Sequence, residues 1–271
     1  MHLKRWITSL TALPFVCFLI YKGGVFLFAA VVSIISAVAL WEYFRIVFTR
    51  EENNRFRSLL CFCYITGILI ILLSCWGRLE LIPFVIAFNV LVSGTTVVLK
   101  YKPEGRLSDI IAREMLGILY IPVLLSFIVL LRNSADGIAW TFCLLLLVVA
   151  GDTGAFYTGS FLGRHKLCPS VSPGKTIEGA VGGISAVLAV GLVFKFFFLP
   201  DLPWISFIIF LICIGIIAPV GDLFESMLKR EGGVKDSGAW LPGHGGILDR
   251  IDALLFAALP AYYFKVYLLY G

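Results

Sequence analysis

The chain has 271 residues, of which 60% are hydrophobic and only 14% are charged, and its formal net charge is +5. Its mean hydropathy of +0.97 excludes an ordinary soluble domain, in which the apolar share is about 45–50%. The positive charge does not indicate a nucleic-acid-binding protein, because no basic run is interleaved with a soluble fold. We expect an all-α integral membrane protein, a polytopic bundle of helices that forms one continuous membrane domain.

Apolar segments long enough to cross a bilayer, about 20 residues each, recur along the whole chain. They predict about nine transmembrane helices, near residues 6–21, 25–44, 58–76, 80–99, 114–131, 138–160, 177–198, 204–224 and 252–270. No small-residue cleavage site follows the first apolar run before the second begins, so we expect no cleavable signal peptide.

Lysine and arginine are distributed unevenly among the predicted loops. If the N-terminus is inside, seventeen of the 22 lie on the inner side, as the positive-inside rule requires of a cytoplasmic N-terminus. The same bias places residues 226–252 on the cytoplasmic side. Anionic lipid headgroups are expected to attract these basic residues, so membrane lipids are expected partners. From the compact length and the absence of an extra N-terminal region we expect a bacterial inner membrane, with an organelle membrane as the alternative.

The first polar motif is the segment GDTGAF at 151–156, at the cytoplasmic end of the sixth predicted span. An acid inside a span costs several kcal/mol unless it faces a cavity or a partner. Helix packing through closely spaced small residues accounts for the glycines but not for Asp152. We predict that Asp152 binds substrate.

The second motif is the segment SPGKTIE at 172–178. Ser172 followed by Pro173 predicts an N-cap and the first residue of a helix, and such a helix start attracts phosphate. The segment is not a P-loop, because that template requires a glycine where the chain has Pro169. A positive-inside loop with a good cap would account for Lys175 but not for Glu178. We predict four substrate-binding residues here: Ser172, Lys175, Thr176 and Glu178.

The third motif, GDLFESMLKR at 221–230, closes the eighth predicted span. Helical spacing places Asp222, Glu225, Ser226 and Lys229 on one face, where a carboxylate and a basic group can hold a metal and a phosphate. The alternative is a helix end whose basic residues reach the headgroups. That alternative accounts for Arg230 but not for the deeper Asp222.

The fourth motif runs from residue 235 to residue 252 and contains the sequences KD, LPGHGG and DRID. Proline and glycines around His244 predict a fixed turn with exposed backbone. Asp249 and Asp252 are three residues apart and share a helix face. Together with Asp222 they can supply the oxygen ligands that Mg²⁺ requires.

Residues 226–252 resemble, position for position, the signature of the phosphatidate cytidylyltransferases, also called CDP-diacylglycerol synthases. The pattern is S-x-ϕ-K-R-x(4)-K-D-x-small-x(2)-ϕ-P-x-H-G-G-ϕ-x-D-R-ϕ-D, where ϕ is apolar. The segments at 151–156 and 172–179 also resemble those of the family, with Phe156 where tyrosine is common. The resemblance covers the C-terminal half in motifs and the N-terminal half only in hydropathy and length. Composition also shifts near residue 140, after which the spans carry polar residues and the inside loops lengthen. From that shift we divide the chain into N-terminal scaffold helices, 1–137, and a C-terminal catalytic half, 138–271.

The resemblance implies that CTP and phosphatidate react to form CDP-diacylglycerol and pyrophosphate. It places metal-binding aspartates at Asp222 and Asp249, holding Mg²⁺ and, in some members, a second cation such as K⁺. The predicted catalytic residues are Asp222, Lys229, Arg230, Lys235, Asp236, His244, Asp249 and Arg250. The remaining predicted substrate-binding residues are Ser226, Gly245, Gly246 and Asp252.

Two alternatives come from other classes of protein. A CTP-dependent kinase of a lipid alcohol such as a polyprenol or phytol would share the fold, but the intact signature argues against it. An ion or phosphate transporter should show broken helices or repeats near the midplane, whereas here the polar groups lie towards one face. The sequence leaves open the acyl-chain preference, homodimer formation, the basis of cytosine selectivity and which carboxylate binds which ion.

Overall fold

The computed structural model describes residues 14–100, 107–238 and 245–269, and these are mostly helical. The helices are α1 (residues 14–21), α2 (Gly24–Val47), α3 (Arg50–Arg55), α4 (Arg57–Cys75), α5 (Ile82–Leu99), α6 (Leu107–Ile118), α7 (Leu124–Asn133), α8 (Gly137–Leu162), α9 (Ile177–Phe198), α10 (Trp204–Glu231) and α11 (Leu248–Tyr263). A short hairpin of β1 (Lys166–Cys168) and β2 (Ser172–Thr176) lies between α8 and α9.

Seven segments are long and apolar enough to cross a membrane: Gly24–Val47, Arg57–Cys75, Leu79–Leu99, Ser108–Asn133, Gly137–Leu162, Ile177–Phe198 and Trp204–Glu231. They confirm the second to eighth predicted spans, and the protein is a polytopic α-helical membrane protein. Of the first predicted span, 6–21, the half from residue 14 onward is helix α1 and the other half lies outside the described residues.

The ninth predicted span, 252–270, is helical through residue 269 but changes its helix type. Helix α11 has 16 residues and contains Pro260, and a π-helical turn, Phe264–Leu269, follows it. A proline lacks the N–H that would continue the helical hydrogen bonding, so a change of helix type close to Pro260 has a local cause. The span formed by α6 and α7 has a similar change of helix type, a π-helical turn at Leu119–Val123 that contains Pro122.

The described chain forms two compact units. The first comprises the described residues up to Leu130 together with those of Gly232–Leu248, and the second comprises Leu131–Glu231 and the described residues from Asp249 onward. The second unit thus begins at Leu131, near the predicted boundary at 137. They differ from the predicted division in that part of the signature segment, Gly232–Leu248, belongs to the first unit.

The first unit contains a buried polar network. The Glu114 side chain on α6 is fully buried and accepts hydrogen bonds from Asn89 Nδ2 at 2.5 Å, Ser93 Oγ at 2.9 Å and Cys63 Sγ at 2.9 Å. Three donors satisfy a carboxylate that would otherwise be costly to bury. The network therefore joins α4, α5 and α6.

The short helix α3 of the first unit is capped at its start and forms an ion pair with α6. Thr49 and Glu52 form a capping box at the start of α3, and Arg113 Nη2 lies 2.7 Å from Glu52 Oε1. Partial burial opposes ionisation of Glu52, but the hydrogen bonds and charge of Arg113 and the bonds from Thr49 outweigh it and lower the pKa of Glu52.

In the second unit, α8 packs along α9 through small residues. A Cβ atom added at Gly182 would overlap the Thr158 side chain, and one added at Gly183 would lie 2.9 Å from the Gly151 carbonyl oxygen. The close approach shows that small residues allow these two helices to pack. It also brings the C-terminal half of α8, which carries Asp152, next to the N-terminal half of α9.

Candidate active site

A β-hairpin, and not a helix start, forms the segment around Lys175. Strands β1 and β2 pair antiparallel, and α9 begins only after Thr176, whose Oγ1 accepts a hydrogen bond from Gly179 N at 3.1 Å. The prediction that Ser172 caps the helix is therefore wrong, and Thr176 is the N-cap. Pro173 is tolerated in a two-stranded hairpin because both strands are edges and need not donate from every residue.

The hairpin brings Lys175 to α10. Lys175 Nζ lies 2.6 Å from Asp222 Oδ2 and donates a hydrogen bond to the Pro219 carbonyl oxygen at 3.3 Å. The two side chains were predicted on separate motifs, and the structure joins them in one ion pair. Ser226 Oγ donates to Asp222 Oδ1 at 3.4 Å, so the predicted face of α10 is formed as the helical spacing requires.

A cavity of about 450 Å³ opens beside this ion pair within the second unit. Its polar lining residues are Asp152, Ser160, Ser172, Lys175, Thr176 and Asp222, and its apolar ones include Ala155, Phe156, Leu167 and Pro219. A cavity of this size is typical of small-ligand sites. Its lining is both charged and apolar, which suits a ligand that has both a phosphate and a hydrocarbon part.

Two further aspartates lie near Asp222. Asp152 and Asp252 are each close enough to Asp222 for their charges to interact, and Arg250 interacts with Asp152. The Asp252 side chain is nearly buried and its Oδ1 accepts a hydrogen bond from Ala253 N at 2.8 Å. The structure thus brings three predicted carboxylates and two predicted basic groups together.

A second lysine–aspartate pair involves Glu225, which helical spacing placed on the same face as Lys229 but which was not among the predicted site residues. Lys229 Nζ lies 2.6 Å from Asp249 Oδ1 and 2.5 Å from Glu225 Oε2. Glu225 is fully buried, and its charge interacts with those of Asp249 and Asp252. Its spacing of four residues before Lys229 was the available signal for this contact.

Two predicted site residues hold the hairpin in the structure. The Glu178 carboxylate accepts hydrogen bonds from Arg164 N at 3.0 Å and His165 N at 3.2 Å, and lies 2.6 Å from His165 Nδ1. Arg230 Nε donates to the Val171 carbonyl oxygen at 3.3 Å. Their predicted roles in substrate binding and catalysis stay predictions.

Four other predicted residues belong to the first unit. Lys235 and Asp236 are exposed, Gly245 is partly exposed and Gly246 is buried. Gly245 has a φ of 77°, a backbone conformation that favours glycine. The remaining predicted residue, His244, lies outside the described residues.

The donor set fits magnesium better than a soft metal. Within the described part of the chain, no group of three or more His, Cys, Asp or Glu side chains is arranged to hold a metal ion. Mg²⁺ usually takes only one or two carboxylates, and water and substrate phosphates complete its octahedron. The carboxylate oxygens of Asp222 and Asp249 meet that requirement, and the prediction that they bind the metal stays a prediction.

Three known proteins similar to this chain carry the same name. Residues 3–268 match the model described as "Cytidylyltransferase family". The phosphatidate cytidylyltransferase of Staphylococcus saprophyticus is 34% identical over 257 residues, which cover 93% of this chain and 94% of that protein. The one from Bacillus subtilis is 39% identical over 150 residues, or 55% of each chain. The one from Mycobacterium bovis is 34% identical over 160 residues, or 59% of this chain and 52% of that protein. The match thus spans about half the length of the last two relatives but almost the whole of the first. The chain belongs to the cytidylyltransferase family.

Proposed function

We propose that this protein is a phosphatidate cytidylyltransferase, a nucleotidyltransferase that makes CDP-diacylglycerol for phospholipid synthesis. The observation that carries the proposal is the pair of lysine–aspartate contacts, Lys175 with Asp222 and Lys229 with Asp249. The second contact lies within residues 226–252, which match the signature of the family. The name shared by the curated relatives supports it.

In the proposed reaction, a phosphate oxygen of phosphatidate attacks the α-phosphorus of CTP. A new P–O bond forms, the bond from the α-phosphorus to the bridging oxygen breaks, and pyrophosphate leaves with that electron pair. A phosphate monoester is mostly dianionic at neutral pH, so the reaction requires no strong general base. Its demands are positioning of the two substrates and neutralisation of their charge.

The lysines and aspartates are suited to exchange partners during this reaction. Without substrate, each lysine neutralises an aspartate, because two unpaired charges would be costly at a partly buried position. When phosphates enter, Lys175 and Lys229 can turn to them and leave Asp222 and Asp249 to a cation. Mg²⁺ held by those two carboxylates would neutralise the charge of the α-phosphate and of the leaving group. Arg250 supplies further positive charge beside Asp152.

The mixed lining of the cavity supports a lipid substrate. The charged Lys175 and Asp222 line it together with the apolar Phe156 and Leu167. A phospholipid presents a phosphate and a hydrocarbon part together, so both kinds of side chain would be used. We propose that the phosphate of phosphatidate binds at the charged side chains and that its glycerol and acyl chains contact the apolar ones.

The proposed orientation places this site at the cytoplasmic face of a bacterial inner membrane. It rests on the excess of lysine and arginine in the inside loops, and it gives the site access to the cytoplasmic pool of CTP.

The test is conversion of phosphatidate and CTP to CDP-diacylglycerol and pyrophosphate by the purified protein in detergent with Mg²⁺. We expect Asp222→Asn and Asp249→Asn each to lower turnover by about a hundredfold or more, as the loss of a charge-neutralising group does. Asp201→Asn, at an exposed loop position outside the cavity, is the matched control and should leave turnover unchanged.

A well-folded parent that makes no CDP-diacylglycerol would refute the proposal. If that parent instead phosphorylates an added polyprenol from CTP, the protein is a lipid-alcohol kinase.

A further inference from the structure

A buried glutamate of α2 accepts hydrogen bonds from the signature segment, residues 226–252. The Glu42 side chain is fully buried, and it accepts hydrogen bonds from Ser237 Oγ at 3.1 Å, Ile247 N at 3.0 Å and Leu248 N at 2.8 Å. No sequence pattern indicates this contact, because Glu42 lies near the end of an apolar span about two hundred residues before its partners.

The contact leaves no spare room around the carboxylate. A Cβ atom added at Gly238 or at Gly246 would overlap the carboxylate oxygens of Glu42. The lack of a side chain at these two glycines therefore leaves the space that the Glu42 carboxylate occupies. A buried carboxylate in a membrane protein is costly unless it is fully hydrogen-bonded, and the donors named here all belong to Gly232–Leu248.

The bonded amides lead directly into a helix that carries predicted catalytic residues. Leu248 is the first residue of α11, and a helix start has unpaired N–H groups and a positive dipole end that favour a carboxylate. Asp249 and Arg250 follow Leu248 in the same turn. Any change in the position of the Leu248 backbone is transmitted to them through the chain.

We propose that Glu42 is a positioning residue for the reaction: it fixes the backbone that enters α11 and so sets the positions of Asp249 and Arg250. The inference rests on the proposed function, because those two residues act there as a metal ligand and a charged contact. Groups that orient metal ligands typically change metal affinity or activity by about 10–100-fold when they are removed.

The principal test is Glu42→Gln compared with Glu114→Gln. Both substitutions remove the charge of a fully buried carboxylate of the first unit at constant size, but the donors of Glu114 lie on α4 and α5. We expect Glu42→Gln to lower kcat by about tenfold to a hundredfold and to raise the half-saturating Mg²⁺ concentration by about tenfold. Glu114→Gln should leave the half-saturating Mg²⁺ concentration unchanged.

Hydrogen exchange provides a readout that does not depend on activity. In Glu42→Gln, the peptide that contains Ile247 and Leu248 should exchange about tenfold faster, because its amides lose a charged acceptor. The same peptide should exchange at the parental rate in Glu114→Gln. Gly238→Ala is the second variant, for use if Glu42→Gln does not fold: its added methyl group displaces the carboxylate but keeps the charge, and it should change exchange and Mg²⁺ dependence in the same directions.

Unchanged exchange in both Glu42→Gln and Gly238→Ala would overturn the inference, as would parental Mg²⁺ dependence and kcat in an active protein. A parent without cytidylyltransferase activity would refute the proposed function instead, and the exchange rates alone would then decide whether Glu42 holds the segment.

Discussion

Replacing Lys229 by methionine is predicted to destabilise the protein more than any loss of a surface charge. The Lys229 side chain is 13% exposed and lies between Glu225, which is 1% exposed, and Asp249, which is 9% exposed. Lys229→Met would leave two buried carboxylates facing each other without the cation that separates their charges. Breaking a buried ion pair by removing one partner costs about 3–5 kcal/mol, and solvent screening is weak at this degree of burial.

A second substitution tests the physical reason. Lys229→Met combined with Glu225→Gln removes one of the two carboxylate charges, so the double variant should regain about 1–3 kcal/mol relative to Lys229→Met alone. Its activity should not return, because the proposed phosphate contact of Lys229 is still absent.

The assay is thermal unfolding of the purified variants in detergent, with retention of the native elution profile as the check on folding. Lys22→Met, at an exposed position, is the matched control and should unfold at the parental temperature. A Lys229→Met variant as stable as the parent, or a double variant less stable than Lys229→Met, would show that the Glu225–Lys229–Asp249 contacts do not stabilise the fold.

Three further predictions concern separate features of the protein. Thr176→Val removes the N-cap of α9 and should cost about 1 kcal/mol in thermal unfolding, whereas Thr95→Val, at an exposed position on α5, should have little effect. The pKa of Glu52 is lowered from its ordinary value of 4.5, so the ionised side chain stabilises the fold above that pH. This stabilisation is lost as the pH falls through the folded-state pKa. Glu52→Gln should therefore lose less stability than the parent on acidification. Removal of divalent cations by a chelator should abolish turnover and leave the unfolding temperature unchanged, because lysines already neutralise the aspartates of the site; a large fall in that temperature would mean that the metal supports the fold.

The membrane-spanning segments could be predicted because their signal is local. A run of apolar residues must be about 20 residues long to cross the hydrocarbon core, and that length is read directly from the sequence. The change of helix type near Pro260 was harder to predict, because a proline in a span can be accommodated in several ways.

The contacts of the site were harder to predict than its members. Lys175 and Asp222 were both expected in the site, but their pairing depends on the hairpin, and the Ser172-Pro173 sequence suits a helix start as well as an edge strand. Glu42 lies almost two hundred residues from Ser237, and no local spacing connects them. Pairings at such separations follow from tertiary packing, which a single sequence does not display.

The glycines at the contact between α8 and α9 limit the width of the cavity. Gly159 and Gly179 line the cavity, and a Cβ atom at Gly179 would lie 2.9 Å from the Ala155 carbonyl oxygen of the opposite helix. On that side the cavity is bounded by main chain, so rotamer changes cannot widen it. Phe156 also lines the cavity, and its side chain is 67% exposed. A different side chain at position 156 would therefore change the space available to a ligand without disturbing the contact between the two helices.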